Sequence, residues 1–268
     1  MLTVDTGMGK IGTCIRRVLY RSLSLENYLK VLSGAYLWGY RLGLSPHAAA
    51  YEYPRFLKYL IAPGDTVIDI GANLGYYSYA MARLTAPSGK VYAVEPVAPI
   101  RRVLEHNLRR FRNVEILACA LGAEDKRIRM GNGTVDRNGY FGTGQNFVVD
   151  RPTEGLQLME FEAEMRRGSQ LFADLTRLDL IKCDIEGYEG VVLPEMKPLI
   201  ERFRPTVLVE TGGETRVAML AFFREIGYVD FTLQNGRLVP DAGHSEKDII
   251  FIHGSKVKPY EKWIEPCA

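Results

Sequence analysis

The chain has 268 residues, 47% hydrophobic and 25% charged, which suits one large domain, or one domain with a small cap, able to bury a sizeable core. Its 34 Lys and Arg against 32 Asp and Glu leave a formal net charge of +2, so no global field draws in nucleic acid, and the pairs Arg101-Arg102, Arg109-Arg110 and Arg166-Arg167 read as solvated helix faces. Cys14, Cys119, Cys183 and Cys267 form no C-x-x-C pair, and neither a secretory leader nor a run of about 18 apolar residues is evident, which predicts a cytoplasmic chain without disulfides, thiolate-metal site or membrane span.

Residues 15–44 place Val18, Leu19, Leu25, Tyr28, Leu29, Leu32, Tyr36 and Leu37 at helix-like spacing. They predict one or two helices forming an N-terminal cap over residues 1–46, ahead of a main domain at 47–268. Core packing is the expected fate of this stripe, and the Tyr residues and Trp38 leave a membrane-surface role as the alternative. Residues 47–61 read as another helix, closed by Pro63-Gly64-Asp65.

From Thr66 the period changes. Thr66 to Ile70 is a short β-branched run; residues 75–86 are helical in spacing; Lys90 to Glu95 is a second strand, Pro99 to Phe111 a helix and Val114 to Ala118 a third strand. This alternation predicts a parallel sheet with crossover helices. Residues 121–176 are less regular, and the glycines and asparagines of 131–146 predict a mobile loop or hairpin tip over the ligand site. The alternation resumes with Leu178 to Cys183, Pro205 to Glu210 and a helix over about 214–226. Tyr228 to Leu233 and Asp248 to Ile252 close the chain, with an Asn235-Gly236 turn between them.

Three features carry chemistry. Asp69-Ile70-Gly71-Ala72-Asn73-Leu74-Gly75 joins the first strand to its helix, and a side-chain-free turn there lets a ligand lie against the backbone at the sheet's carboxyl edge. The G-x-x-x-G spacing lacks the middle glycine of the dinucleotide fingerprint, and Asp69 suits a positively charged ligand better than a pyrophosphate, which disfavours a nicotinamide oxidoreductase. Glu95, about 20 residues on, ends the second strand where a carboxylate can accept ribose hydroxyls, and Pro96 turns the chain out of the strand. Third, Ile181-Lys182-Cys183-Asp184-Ile185-Glu186-Gly187 runs a strand into two carboxylates. Strand alternation places Lys182, Asp184 and Glu186 on one face if the extended run continues, where they could orient a hydroxyl, take its proton or hold a divalent cation. The plainer alternative is a pair of acids capping the next helix. Glu210 ends the following strand on the same edge.

Taken together, VIDIGANLGYYS at 67–78, VYAVEP at 91–96, IKCDIEGYEGVVL at 181–193, VLVET at 207–211 and DIIFIH at 248–253 resemble the FkbM family of methyltransferases. The resemblance covers roughly residues 47–253. It implies a Rossmann-like class I α/β fold, a seven-stranded mostly parallel sheet with helices on both faces and its last strand antiparallel. It also implies S-adenosylmethionine as cofactor and O-methylation of a small-molecule or sugar hydroxyl. On this chain it implies Asp69, Gly71, Asn73 and Gly75, with Ala72 and Tyr76, around the methionine moiety; Glu95 and Pro96 at the ribose; and Ala120 and Leu121 near adenine. Asp184 borders the cofactor and, with Glu186 and Lys182, lines the reaction centre. Asp184, Glu186 and Glu210 are the ligands if a divalent cation is used. Cys183 stands where the family often has a branched or small apolar residue. Of the four histidines, His244 is the one whose loop could overhang the site as an alternative base. A nucleic-acid methyltransferase and a non-catalytic S-adenosylmethionine-binding scaffold are the rival functions.

Overall fold

Five consecutive residues, Thr66–Ile70, make strand β1 because four of the five are fully buried and four are β-branched. In this computed structural model, residues 10–44, 49–149, 155, 157–241 and 248–265 are described. The N-terminal helices are α1 (Lys10–Ser22) and α2 (Leu25–Arg41), followed by α3 (Ala49–Phe56) and a 3-10 turn at Leu57–Tyr59. After β1 come α4 (Tyr76–Thr85), β2 (Lys90–Val94), α5 (Ala98–Leu108) and β3 (Val114–Leu117). The middle of the chain forms β4 (Ala120–Gly122), β5 (Lys126–Asn132), α6 (Thr134–Asn138), β6 (Phe147–Val148), β7 (Met159–Arg167) and α7 (Gly168–Leu171). The α/β alternation then returns with β8 (Leu180–Cys183), α8 (Glu189–Glu195), α9 (Lys197–Phe203), β9 (Thr206–Val209) and α10 (Gly213–Glu225). It ends with β10 (Tyr228–Gln234), β11 (Arg237–Pro240) and β12 (Ile249–His253).

The main sheet runs β11-β10-β12-β9-β8-β1-β2-β3. It has eight strands rather than the seven expected, because the Asn235-Gly236 turn folds β11 back on β10 as an added edge strand; Asn235 and Gly236 both take positive φ there. β1 pairs in parallel with β2 on one side and β8 on the other, and β12 is antiparallel to both its neighbours. The chain therefore turns outward in opposite directions on either side of β1, and the carboxyl end of β1 is the switch point where open α/β sheets bind ligands. Register sets Ile70 beside Val94 and Cys183, so three strand exits stand side by side.

A second sheet, β4-β7-β5-β6, replaces the irregular region expected over 121–176. The stretch 131–146 is also not a loose loop. Asn132 is fully buried, accepts from the Thr134 amide and hydroxyl, and donates to Gly142 O (2.8 Å) and Asn146 Oδ1 (3.0 Å). Phe141 is fully buried and Tyr140 nearly so. These polar and apolar anchors hold the stretch, which its glycine content alone does not reveal.

Helices α1 and α2 lie on the α/β core. Tyr28 and Leu29 share one apolar cluster with Leu74, Val97, Ile100 and Val103, and Tyr36 stacks on Tyr76 with ring centroids 4.0 Å apart. They also brace the 131–146 stretch: the Tyr28 hydroxyl donates to Phe141 O (3.0 Å) and Arg17 Nε to Asn138 O (2.7 Å). His47, His244, Cys267 and residues 1–9 lie outside the described residues.

Candidate active site

The first wall of the site is the turn after β1. Gly71 takes φ +76°, and its N–H and that of Ala72 both donate to Val94 O. An added Cβ at Gly71 would lie 2.0 Å from Asp184 O, a backbone atom that no side-chain rotation moves. Only glycine lets the two strand-end turns meet.

Glu95 closes the next side. Its two carboxylate oxygens accept from the amides of Asn73 (3.0 Å) and Val97 (2.8 Å). Burial pushes its carboxyl up to about 7, against the pull of those two amides. Each oxygen keeps a lone pair for a ligand hydroxyl.

Asp69 and Lys182 stand behind the turn. Asp69 is fully buried and accepts from the Ser78 hydroxyl. Lys182 Nζ donates to Gly71 O (3.1 Å) and to Asp184 Oδ2 (3.2 Å), lies 3.5 Å from Asp69 Oδ1, and sits over the Tyr77 ring. Burial alone would lower the Lys182 pKa, but Asp184, Asp69 and Glu210 hold it above its usual value. Lys182 thus stays charged and ties the Gly71 turn to the Asp184 turn.

The extended run stops at Cys183, so the expected alternation through Asp184 to Glu186 does not occur. Ile185 N and Gly187 N both donate to Glu189 Oε1, and Glu186 and Gly187 take positive φ. Glu189 therefore folds the motif into a tight turn. Glu186 lines the cleft near Gly144, where an added Cβ would sit 3.7 Å from Glu186 Oε1.

Behind Asp184 gather Glu210 and Asp248. Burial and then the Asp184 charge raise the Glu210 carboxyl well above the usual range, and the same two causes push Asp248 up to about 7. Sequence reasoning missed Asp248. The available signal was its position just before an antiparallel strand, which enters the sheet at the edge where the parallel strands leave. Among the described residues no group of three His, Cys, Asp or Glu could hold a metal ion, the set Asp184, Glu186 and Glu210 considered from sequence included.

Between these turns and the second sheet is a cleft whose empty space, open mouth included, is about 640 Å³. Gly71, Asn73, Glu95, Pro96, Ala120, Leu121, Asp184 and Glu186 line it, and Thr143, Gly144 and Asn146 form its far wall. Asp69, Ala72, Gly75, Tyr76, Lys182 and Glu210 are not in its lining. Asp69 and Lys182 are buried supports, Gly75 starts α4 against Leu104, and Tyr76 is under Tyr36. Thr143 and Asn146 belong to the 131–146 stretch expected over the site, and Tyr188 is a lining residue not given a role from the sequence.

The lining fits S-adenosylmethionine. Among the described residues it has carboxylates and no Lys, Arg or His, which suits a ligand carrying an ammonium and a sulfonium. Ala120 and Leu121 offer apolar contact, and the buried Asn73 Oδ1 has no partner of its own. Strand order and cleft position define a class I methyltransferase fold. Within it, the model of the methyltransferase FkbM domain matches residues 69–229, and the chain belongs to the FkbM methyltransferase family. It is 29% identical over 164 residues to the AMB antimetabolite synthetase AmbE of Pseudomonas aeruginosa, covering 50% of this chain and 8% of that protein. It is 44% identical over 46 residues to a protein-L-isoaspartate O-methyltransferase of Aeropyrum pernix, covering 17% of this chain and 18% of the relative. The chain thus spans less than a fifth of either curated relative. A solved FkbM methyltransferase from Methylobacillus flagellatus KT superposes with a TM-score of 0.48 at 13% identity, covering 91% of this chain and 58% of that one.

Proposed function

We propose that this chain methylates a hydroxyl oxygen on a small molecule or sugar, using S-adenosylmethionine. When bound, that cofactor supplies an electrophilic methyl group. Gly71, Asn73 and Glu95 bind and orient it, and Ala120 and Leu121 cover its apolar face. The observation that carries the O-methyl reading is the Asp184 carboxylate, on the cleft wall and held at Oδ2 by a charged, buried lysine. A hydroxyl is a poor nucleophile until its proton has an acceptor, and in this reading Asp184 takes that proton. Lys182 fixes its orientation; burial and the Asp184 charge raise the Glu210 carboxyl behind it. A cleft lined by Glu95, Asp184 and Glu186 suits a neutral, hydroxyl-rich acceptor better than the phosphates of a nucleic acid.

The test is mass spectrometry of a cell extract incubated with the protein and methyl-labelled S-adenosylmethionine, to find labelled methyl ethers. With the acceptor in hand, Asp184→Asn should lower turnover by about 10²-fold or more while leaving S-adenosylhomocysteine affinity within a few-fold, as expected for loss of a general base. Label appearing on nitrogen or carbon, or near wild-type turnover in Asp184→Asn, would overturn the reading.

A further inference from the structure

The two faces of the N-terminal helices differ in a way the methyltransferase site does not use. The inner face packs on the core through Tyr28, Leu29 and Leu37. The outer face of α2 carries Val31, Trp38 and Leu42, spaced seven and four residues apart and therefore on one side of the helix, with Ala35 between them. Trp38 is 61% exposed and Leu42 56%. α1 exposes Ile15 and Val18 in the same way, and Leu44 follows α2. Among the described residues, the other large hydrophobics this exposed are Val217 and Val229 alone. Exposed apolar side chains are thus concentrated in residues 10–44 rather than scattered.

The same 35 residues concentrate positive charge. They hold Lys10, Arg16, Arg17, Arg21, Lys30 and Arg41 against Glu26 as the one acid, in a chain whose net charge is only +2. Four of these cations have work within the fold: Lys30 pairs with Glu26, Arg16 lies over the Tyr140 ring, Arg17 donates to Asn138 O, and Arg41 donates to the Tyr79 hydroxyl. Arg21 is exposed in the last turn of α1. Helices that present Trp and aliphatic side chains beside a surplus of Arg and Lys match the acyl–headgroup boundary of an anionic bilayer. A second copy of the chain is a poorer occupant, because it would bring a like-charged surface to the interface.

We infer that the outer faces of α1 and α2 dock this protein on an anionic phospholipid surface, with Trp38 and Leu42 entering the headgroup region and Arg21 meeting lipid phosphates. Docking there would hold the protein peripherally, consistent with no described helix being long and apolar enough to cross a membrane. The inner faces of the same helices brace the far wall of the cleft through Tyr28 and Arg17, so the docked surface and the site share two rigid elements.

The experiment uses the full chain with Trp263→Phe, leaving Trp38 as its fluorophore. Vesicles of phosphatidylcholine with about a third phosphatidylglycerol should shift Trp38 emission to the blue and co-sediment the protein, and pure phosphatidylcholine should do so far less. Arg21→Gln should weaken partition roughly fivefold, the contribution of one cation near an anionic surface. The double variant Trp38→Ser and Leu42→Ser, both at exposed positions, should lose the binding while keeping the wild-type thermal transition. Three outcomes overturn the inference: no shift with anionic vesicles, equal binding by the double variant, or a dimer in light scattering that the double variant abolishes.

Discussion

Lys182 and Asp184, two residues apart on either side of a strand end, place an ammonium 3.2 Å from a carboxylate oxygen at the bottom of the cleft. The lysine side chain is 5% exposed and that of Asp184 28%, so the pair spans the border between core and cleft. Asp69, fully buried, lies on the other side of the same ammonium.

Removing the cation should leave Asp69 and Asp184 facing each other without compensation. Lys182→Met is expected to cost about 3–5 kcal/mol, the usual result of breaking a buried ionic group by deleting one partner. Adding Asp69→Asn to it should restore part of that loss. Urea unfolding of the single and double variants checks this. A loss below about 1 kcal/mol for Lys182→Met would mean that the cluster does not hold the two turns.

Glu95 makes the site sensitive to pH. Its carboxyl is raised from 4.5 to about 7 in the folded chain. A raised carboxyl favours the folded state at low pH, and that contribution is lost as pH rises through about 7. Ligand binding has the opposite sign, because Glu95 must be ionised to accept the ribose hydroxyls. Affinity for S-adenosylhomocysteine should therefore rise about tenfold per pH unit below about 7 and level off above it. Glu95→Gln should bind weakly and without this pH dependence. A wild-type affinity flat between pH 5.5 and 8.5, a span of about 3 units around the folded value, would contradict the assignment.

The far wall of the cleft should be ordered before any ligand arrives. With Asn132 and Phe141 buried and Tyr28 bonded to Phe141 O, amides over 134–142 should exchange slowly in the ligand-free protein. Asn132→Ala removes the acceptor for Thr134 and the donor to Gly142, and should speed exchange across the same residues. Fast exchange in the wild type would restore the mobile loop that the glycine content suggests.

Much of the parallel sheet was legible because its strands are short apolar runs separated by glycine turns and amphipathic helices, and buried parallel strands admit little else. The switch point followed from Gly71 and Glu95 standing at the ends of two such runs. The second sheet was legible in principle: Phe161, Ala163 and Met165 alternate with Glu160, Glu162 and Glu164 along β7, the two-residue period of a half-buried strand. Its partner β5 is mostly charged where it is exposed and ends at Gly131 and Asn132, so the pair reads locally as loop. The direction of Glu186 was not legible. It depends on Glu189 Oε1 capturing the amides of Ile185 and Gly187, a contact that no period or propensity encodes. Burial of Asp69 and Lys182 behind the turn likewise needs the packing of β1 against β8, since both residue types ordinarily signal surface or site.

The central claim is that the cleft between the Gly71 turn, Glu95 and Asp184 takes S-adenosylmethionine. Calorimetric titration of S-adenosylhomocysteine at pH 8 tests it most directly, about one unit above the Glu95 value so that this group is ionised. The account predicts one site per chain, a loss of roughly 1.5–3 kcal/mol in Glu95→Ala from hydrogen bonds to a charged acceptor, and no measurable binding in Gly71→Val. Absence of binding by the wild type, or wild-type affinity in both variants, would contradict it.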